Sequence, residues 1–246
     1  MILLADVGNT RIKWGLLAND VISSHQHAVW HGLAFKAVLE SYWSEIPRPD
    51  RIVVANVAEA ATASLKQWTQ SIWQVAPEFT TVAARAYGLN NGYHNPSQLG
   101  VDRWMAVVGA WHAVHDTVCV VDCGTAITID VVTAEGEYRG GLIAPGMDLM
   151  RSALTDRSPA LVEDGDWADG VLALTTEQAI AAGALNATVG LIERSVSTLN
   201  EELGSGFRCF ITGGDAAATM QHLRGTWEHY PDLVLQGLAI AAEDGT

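Results

Sequence analysis

The feature that most constrains this chain is a stretch that it contains twice. Residues 2–10 read ILLADVGNT and residues 118–126 read VCVVDCGTA, so Asp6 and Gly8 return as Asp122 and Gly124 at an offset of 116. In each copy an apolar run, readable as a buried strand, ends in an acid and a glycine-containing polar turn. The segments after the two copies match in kind. RIKWGLL and DVISSHQHAVW read as two further strands after the first copy. ITIDVVTAEGEYRGGLI reads as two strands joined by a glycine-containing turn after the second. Helical periods come next: LAFKAVLESYWSEI, apolar at Leu33, Ala37, Val38 and Tyr42 and closed by Pro47, and MDLMRSAL, introduced by Pro145 and Gly146. RIVVANV and FRCFITGG supply a later strand in each half, and helical patterns cover 58–75, 101–115, 176–203 and 231–243. The reading is an α/β protein of two β-β-β-α-β-α halves, 1–115 and 116–246.

A strand that ends in Asp-x-Gly and turns at once into another strand presents several backbone N–H groups. Glycine lets the chain approach a ligand closely, Asn9 and Thr10 add side-chain donors, and successive N–H groups in a turn form an anion-binding nest. Asp6 would repel phosphate unless a divalent cation lay between them. Mg2+, held by one or two carboxylates together with phosphate oxygens and waters, suits that position. Lys13, one of three lysines with Lys36 and Lys66, follows on the second strand within reach of a phosphate oxygen. Taken alone, DVGNT is equally an ordinary hairpin whose Asn and Gly serve the turn. Two such loops on duplicated halves favour a clamp on polyphosphate across a cleft, and no GxxxxGK[ST] loop is present.

The bulk numbers narrow the partners. With 49% hydrophobic and 17% charged residues the composition is globular, and a net charge of −14 argues against a nucleic-acid or anionic-membrane surface. No run approaches the ~18 apolar residues of a membrane span, and no basic segment precedes the first apolar residues, so a cytoplasmic protein is expected. Cys119, Cys123 and Cys209 lack metal-ligand spacing and read as small buried hydrophobes. His25 and His27 share a strand face, as a metal pair lacking a third ligand or as an exposed or packed face. His112 and His115 read as surface or packing residues, and Trp104 with Trp111 as a core or interface stripe.

The ordered set DVGNT, GVDR, DCGTAITID, GGLIAPG and TGGD, spanning residues 6–215, resembles the type III pantothenate kinases. The resemblance implies a duplicated actin-like ATPase fold of the hexokinase and Hsp70 superfamily, ribonuclease H-like in each half, around a nucleotide cleft. It implies ATP-dependent phosphorylation of pantothenate at its primary hydroxyl, the first step of coenzyme A synthesis. A homodimer with substrate sites near the subunit interface is implied too, as is dependence on Mg2+ and on a monovalent cation, K+ or NH4+. By position, Asp6, Val7, Gly8, Asn9, Thr10, Arg11, Ile12 and Lys13 would form the first phosphate motif and Gly124 with Thr125 the second. Asp122 would hold the monovalent cation, and Gly213, Gly214 and Asp215 would lie by the adenosine.

On pantothenate would fall Gly100, Val101, Asp102 and Arg103, with Tyr93 at the family's usual spacing or serving as a loop anchor. Thr176 corresponds to a threonine that reaches pantothenate from the partner subunit, with Thr175 the alternative by one residue. Asp102, at a helix start, is the candidate base for the hydroxyl proton, against a first-turn acid that merely suits the helix dipole. Arg103 would orient Asp102 or bind a polar group of pantothenate. The segment 156–170 shows no family feature. Two other readings keep the fold: a sugar or acetate kinase, and a regulatory protein that works by binding partners. Retention of both phosphate loops and of Asp102 speaks against the second.

Overall fold

The computed structural model describes residues 1–30, 34–156, 171–204 and 206–244. Along the chain run β1 (Ile2–Val7), β2 (Arg11–Ala18), β3 (Val21–Val29), α1 (Phe35–Tyr42), β4 (Arg51–Asn56), α2 (Glu59–Ile72), β5 (Pro77–Phe79), β6 (Arg85–Ala86), β7 (Leu89–Asn91) and α3 (Val101–Val114). Then come β8 (Val118–Cys123), β9 (Ala126–Val132), β10 (Glu137–Pro145), α4 (Met147–Thr155), α5 (Thr176–Leu203), β11 (Arg208–Thr212), α6 (Ala216–Met220), β12 (Glu228–His229) and α7 (Leu233–Asp244). The described residues divide into two compact units. One comprises 1–115 with 134–139 and the segment from Asp232; the other comprises 116–133 and 140–231.

The repeat in sequence is a repeat in topology. The first unit carries strands in the order β3-β2-β1-β4-β5, and the second carries the same pattern as β10-β9-β8-β11-β12. In both, the opening strand is antiparallel to the next and parallel to the later one: β1 against β2 and β4, β8 against β9 and β11. Central strands with covered faces read as continuous apolar runs. Accordingly Leu3, Leu4, Ala5 and Val7 of β1 and Val118, Cys119, Val120 and Val121 of β8 are buried.

Two local features set the register of β3. Asn19 and Asp20 both take the left-handed region (φ 49° and 60°), as a two-residue type I′ turn requires. A bulge around Ser24 (φ 54°) then advances the pairing by one residue: Leu16 faces Ser23, but Trp14 faces Gln26 and Arg11 faces Val29.

The first helix differs from its expected stripe. Leu33 lies outside the described residues. α1 ends at Tyr42, before Pro47, and buries Phe35, Val38 and Leu39, while Ala37 is exposed and Tyr42 is 47% exposed. Aromatic bulk decides the rotation. Trp43, just past the helix, packs edge-on against Trp14 and Trp68 and stacks on Trp73 at 5.7 Å, so that side turns inward.

Within the first unit α3 and α7 touch backbone to backbone. A Cβ on Gly109 of α3 would sit 2.6 Å from the Leu233 carbonyl oxygen, and one on Gly237 of α7 would overlap the Met105 carbonyl. The last turn of α7 is tied to β4 by Arg51, whose Nη1 donates to the Ala242 carbonyl at 2.9 Å. No helix among the described residues is long and apolar enough to cross a membrane.

Gly237→Ala should force the α3–α7 crossing apart and lower stability by about 1–3 kcal/mol, read as a depressed thermal midpoint by circular dichroism. The control is Gly183→Ala on α5, where a Cβ meets open space. It should hold or raise the midpoint through better helix propensity.

Candidate active site

Each unit places an acid at the same point of its opening strand. Asp6 is the fifth of six residues in β1 and Asp122 the fifth of six in β8. After Asp6 the chain reverses tightly. The Gly8 N–H donates to the Arg11 carbonyl at 2.9 Å, and Asp6 stands opposite Lys13 in the ladder. Val7 and Ile12 are fully buried and anchor the hairpin, whereas Arg11 and Asn9 are exposed. Asp6, Gly8, Asn9, Thr10 and Lys13 are thus gathered in one turn. Trp30, which the motif reading does not include, joins them. Its backbone N–H donates to the Thr10 carbonyl at 3.0 Å and its indole Nε1 to the Gly8 carbonyl at 2.8 Å.

In the second unit a cradle of backbone surrounds Asp122. Asp122 pairs with Thr128 on β9 and Thr212 on β11. Gly213, with φ 100°, comes next; a Cβ there would stand 2.6 Å from Asp122 Oδ1 and overlap the Cys123 carbonyl, so only glycine fits. Beyond Gly214, the Asp215 N–H donates to the Cys123 carbonyl at 3.0 Å; the Gly124 N–H donates to Ala126 and the Gly146 N–H to Thr125, at 3.1 and 2.9 Å. Asp122, Gly124, Thr125, Gly213 and Asp215 therefore come together. Gly146 is a further member, one that GGLIAPG marks as part of a motif without a residue role.

The thiols report the local electrostatics. Burial and the neighbouring Asp122 carboxylate push the Cys123 thiol up to about 12. Cys119 and Cys209 are register partners on β8 and β11. Cys119 is fully buried and donates its S–H to Cys209, which raises its own pKa and pulls the partly exposed Cys209 below the usual thiol range.

At the start of α3, Gly100 is the N-cap and Val101 the first helical residue. Asp102 Oδ1 accepts from the Arg103 N–H at 2.8 Å, and a Cβ on Gly100 would lie 2.6 Å from that oxygen. Arg103 is only 7% exposed, and its guanidinium donates to the Tyr93 hydroxyl at 3.1 Å and the Tyr138 hydroxyl at 3.2 Å. Tyr138 is invisible in the motifs because it belongs to β10 and arrives by pairing with Asn91 of β7. In the second unit Thr175 is the N-cap of α5, its hydroxyl accepting from the Gln178 N–H at 3.3 Å. Thr176 is the first helical residue and is exposed.

The histidines carry no such cluster. His25 Nδ1 lies 2.8 Å from Asp232 Oδ2 and its Nε2 lies 2.9 Å from the Ile22 carbonyl. His112 Nε2 lies 2.8 Å from the Tyr87 carbonyl. Among the described residues no group of three or more His, Cys, Asp or Glu could hold a metal ion. The part of 156–170 from 157 onward lies outside the described residues.

A thiol reagent applied to the native protein at neutral pH should modify Cys209 first, with Cys119 and Cys123 reacting only on unfolding. Equal reaction of all three, read by peptide mass mapping, would contradict this arrangement.

The sequence pattern of the family described as type III pantothenate kinase matches residues 2–198. A type III pantothenate kinase of Nitrosococcus oceani is 42% identical over 252 residues, covering 99% of this chain and 94% of that protein. Among solved structures, a Baf family transcriptional activator from Campylobacter jejuni is similar at a TM-score of 0.63 with 20% identity, covering 99% of this chain and 98% of that one. A glucokinase from an Antarctic psychrotroph is similar at 0.50 with 12% identity, covering 98% of each chain. The last two likenesses establish the fold, the actin-like ATPase architecture that sugar kinases share. The chain belongs to the type III pantothenate kinase family.

Proposed function

We infer that this chain transfers the γ-phosphoryl group of ATP to the primary hydroxyl of pantothenate, opening coenzyme A synthesis. The observation that carries the reading is the match to the pantothenate kinase family along nearly the whole chain. Phosphoryl transfer has a loose transition state, so the protein's work is to position the partners and neutralise charge. In this reading the β1–β2 hairpin, Asp6 to Lys13, takes phosphate on its amides and on Lys13. Gly124 and Thr125 form the second phosphate motif, and Gly213, Gly214 and Asp215 lie by the adenosine. Tyr93, Gly100, Val101, Asp102 and Arg103 contact pantothenate, with Asp102 taking the hydroxyl proton. The clamp of Arg103 between two phenols supports a fixed guanidinium there. With the Thr175 hydroxyl spent on its cap, Thr176 is the better candidate of the two to reach substrate.

The donor chemistry supports the ions assigned to these positions. Asp6 offers one hard carboxylate outside any cluster of other protein ligands among the described residues, which suits Mg2+, an ion that keeps waters and phosphate oxygens. Bound there, Mg2+ would supply charge neutralisation on the phosphates. The Asp122 carboxylate and the Cys123 carbonyl oxygen both lie against Gly213, and oxygen donors of this kind suit K+ or NH4+. The duplicated halves 1–115 and 116–246, a cytoplasmic location and a homodimer complete the proposal. Exposed apolar side chains support the homodimer: Leu142 (49%), Ile143 (66%), Leu149 (45%) and Leu154 (53%) of β10 and α4.

ATP consumption that requires pantothenate, and that falls when K+ is replaced by Na+, is the expected result. No pantothenate-dependent turnover with either ion, or equal turnover with sugars or acetate, would overturn the assignment. Asp102→Asn should cut turnover by ~10²–10⁴-fold, the usual worth of a general base, while nucleotide binding stays within about twofold by calorimetry. Unchanged turnover would remove Asp102 as the base.

A further inference from the structure

We propose that Trp30 is a positioning residue for ATP, holding the Gly8 and Thr10 carbonyl oxygens of the β1–β2 hairpin away from the phosphates so that the Asn9 N–H is turned toward them. This rests on the reading of that hairpin as a phosphate site.

A tight turn bares carbonyl oxygens as readily as N–H groups, and a carbonyl facing a phosphate repels it. Here the carbonyls of Gly8, Thr10 and Arg11 are all engaged: Arg11 by the Gly8 N–H, Thr10 by the Trp30 N–H and Gly8 by the Trp30 indole. Two of the three therefore depend on one residue. In a trans peptide the N–H points opposite to the C=O, and the described chain has no cis peptide bond. With the Gly8 carbonyl fixed on the indole, the Asn9 N–H must point away from Trp30. Asn9 is exposed, and its N–H makes no hydrogen bond to a described residue. A donor held outward and unspent at the tip of the turn is what a phosphate oxygen needs.

The fold delivers Trp30 through a change of register. Continued from the Asn19–Asp20 turn without interruption, the pairing of β2 and β3 would set Val29, not Trp30, beside Thr10. The bulge at Ser24 advances the register by one residue and brings the indole to the hairpin. Phe35 of α1 then holds the ring edge-on, 5.1 Å between centroids. Only the indole bond secures the Gly8–Asn9 peptide, since the Trp30 N–H to Thr10 bond is backbone and survives any substitution short of proline. Glycine at position 8 opposes rotation of that peptide less than any other residue would.

The test is steady-state kinetics on the full chain. Trp30→Phe and replacement of Trp30 by its benzothiophene isostere, which keeps the ring shape and deletes only the N–H, should each raise KM for ATP about five- to tenfold, the worth of one hydrogen bond. KM for pantothenate should stay within about twofold. The isostere should also keep the thermal midpoint, which separates a lost bond from lost packing. Asp6→Asn and Lys13→Ala run beside them. If those two leave ATP use intact, the hairpin is not the phosphate site and the underlying reading fails. If they impair ATP use while the isostere keeps KM for ATP unchanged, the role of Trp30 fails and the reading stands. Equal rises in both KM values for the isostere would also overturn the positioning role.

Discussion

The first unit depends on two side chains that are absent. α3 and α7 approach so closely at Gly109 and Gly237 that carbonyl oxygens of one helix lie where a Cβ of the other would be. Helix packing at ordinary separation tolerates repacking of side chains, but a backbone contact has nothing to repack. The crossing therefore sets where α3 lies, and α3 in turn sets Asp102 and Arg103 in its first turn. A segment from the far end of the chain thus holds the proposed substrate side of the first unit. Helix propensity alone would count both glycines as defects.

Much of this architecture is legible in the sequence because it arises from local periodicity. The two Asp-x-Gly turns, the alternation along β2 and the helical periods of α2, α3, α5 and α7 depend on near neighbours, and the elements lie close to where those patterns put them. The stripe of α1 departs from its pattern because counting apolar positions gives Ala37 and Tyr42 the same weight as Phe35 and Trp43. Burial area decides otherwise, and the larger rings rotate the helix. The site members outside the motifs arrive through pairing. Tyr138 meets Arg103 only because β10 pairs with β7, and Gly146 meets Thr125 only because the end of β10 returns to the β8–β9 turn. Trp30 is a sharper case. A period-two count from the β2–β3 turn places it one residue out, since a bulge has no reliable mark in composition.

The two opening turns are alike in sequence and differ in how they are walled. The first is secured by hydrogen bonds from an aromatic side chain and its backbone. Around Asp122 the main chain comes close at Gly213 and at Gly124, where an added Cβ would stand 2.6 and 3.1 Å from Oδ1. A wall of side chains can yield to substitution, while one of backbone admits only glycine. Similar hairpins in the two halves can hence diverge in role without any change of topology.

The aromatic packing under α1 has a consequence for how the molecule can be observed. Trp14, Trp43, Trp68 and Trp73 form one network, with Trp43 and Trp73 stacked at 17°. Apart from Trp227, every tryptophan among the described residues belongs to the first unit. Near-ultraviolet dichroism and intrinsic emission will consequently be dominated by exciton coupling and energy transfer within that unit. Such signals weight the loosening of the half that carries seven of the chain's nine tryptophans over that of the half that carries Asp122.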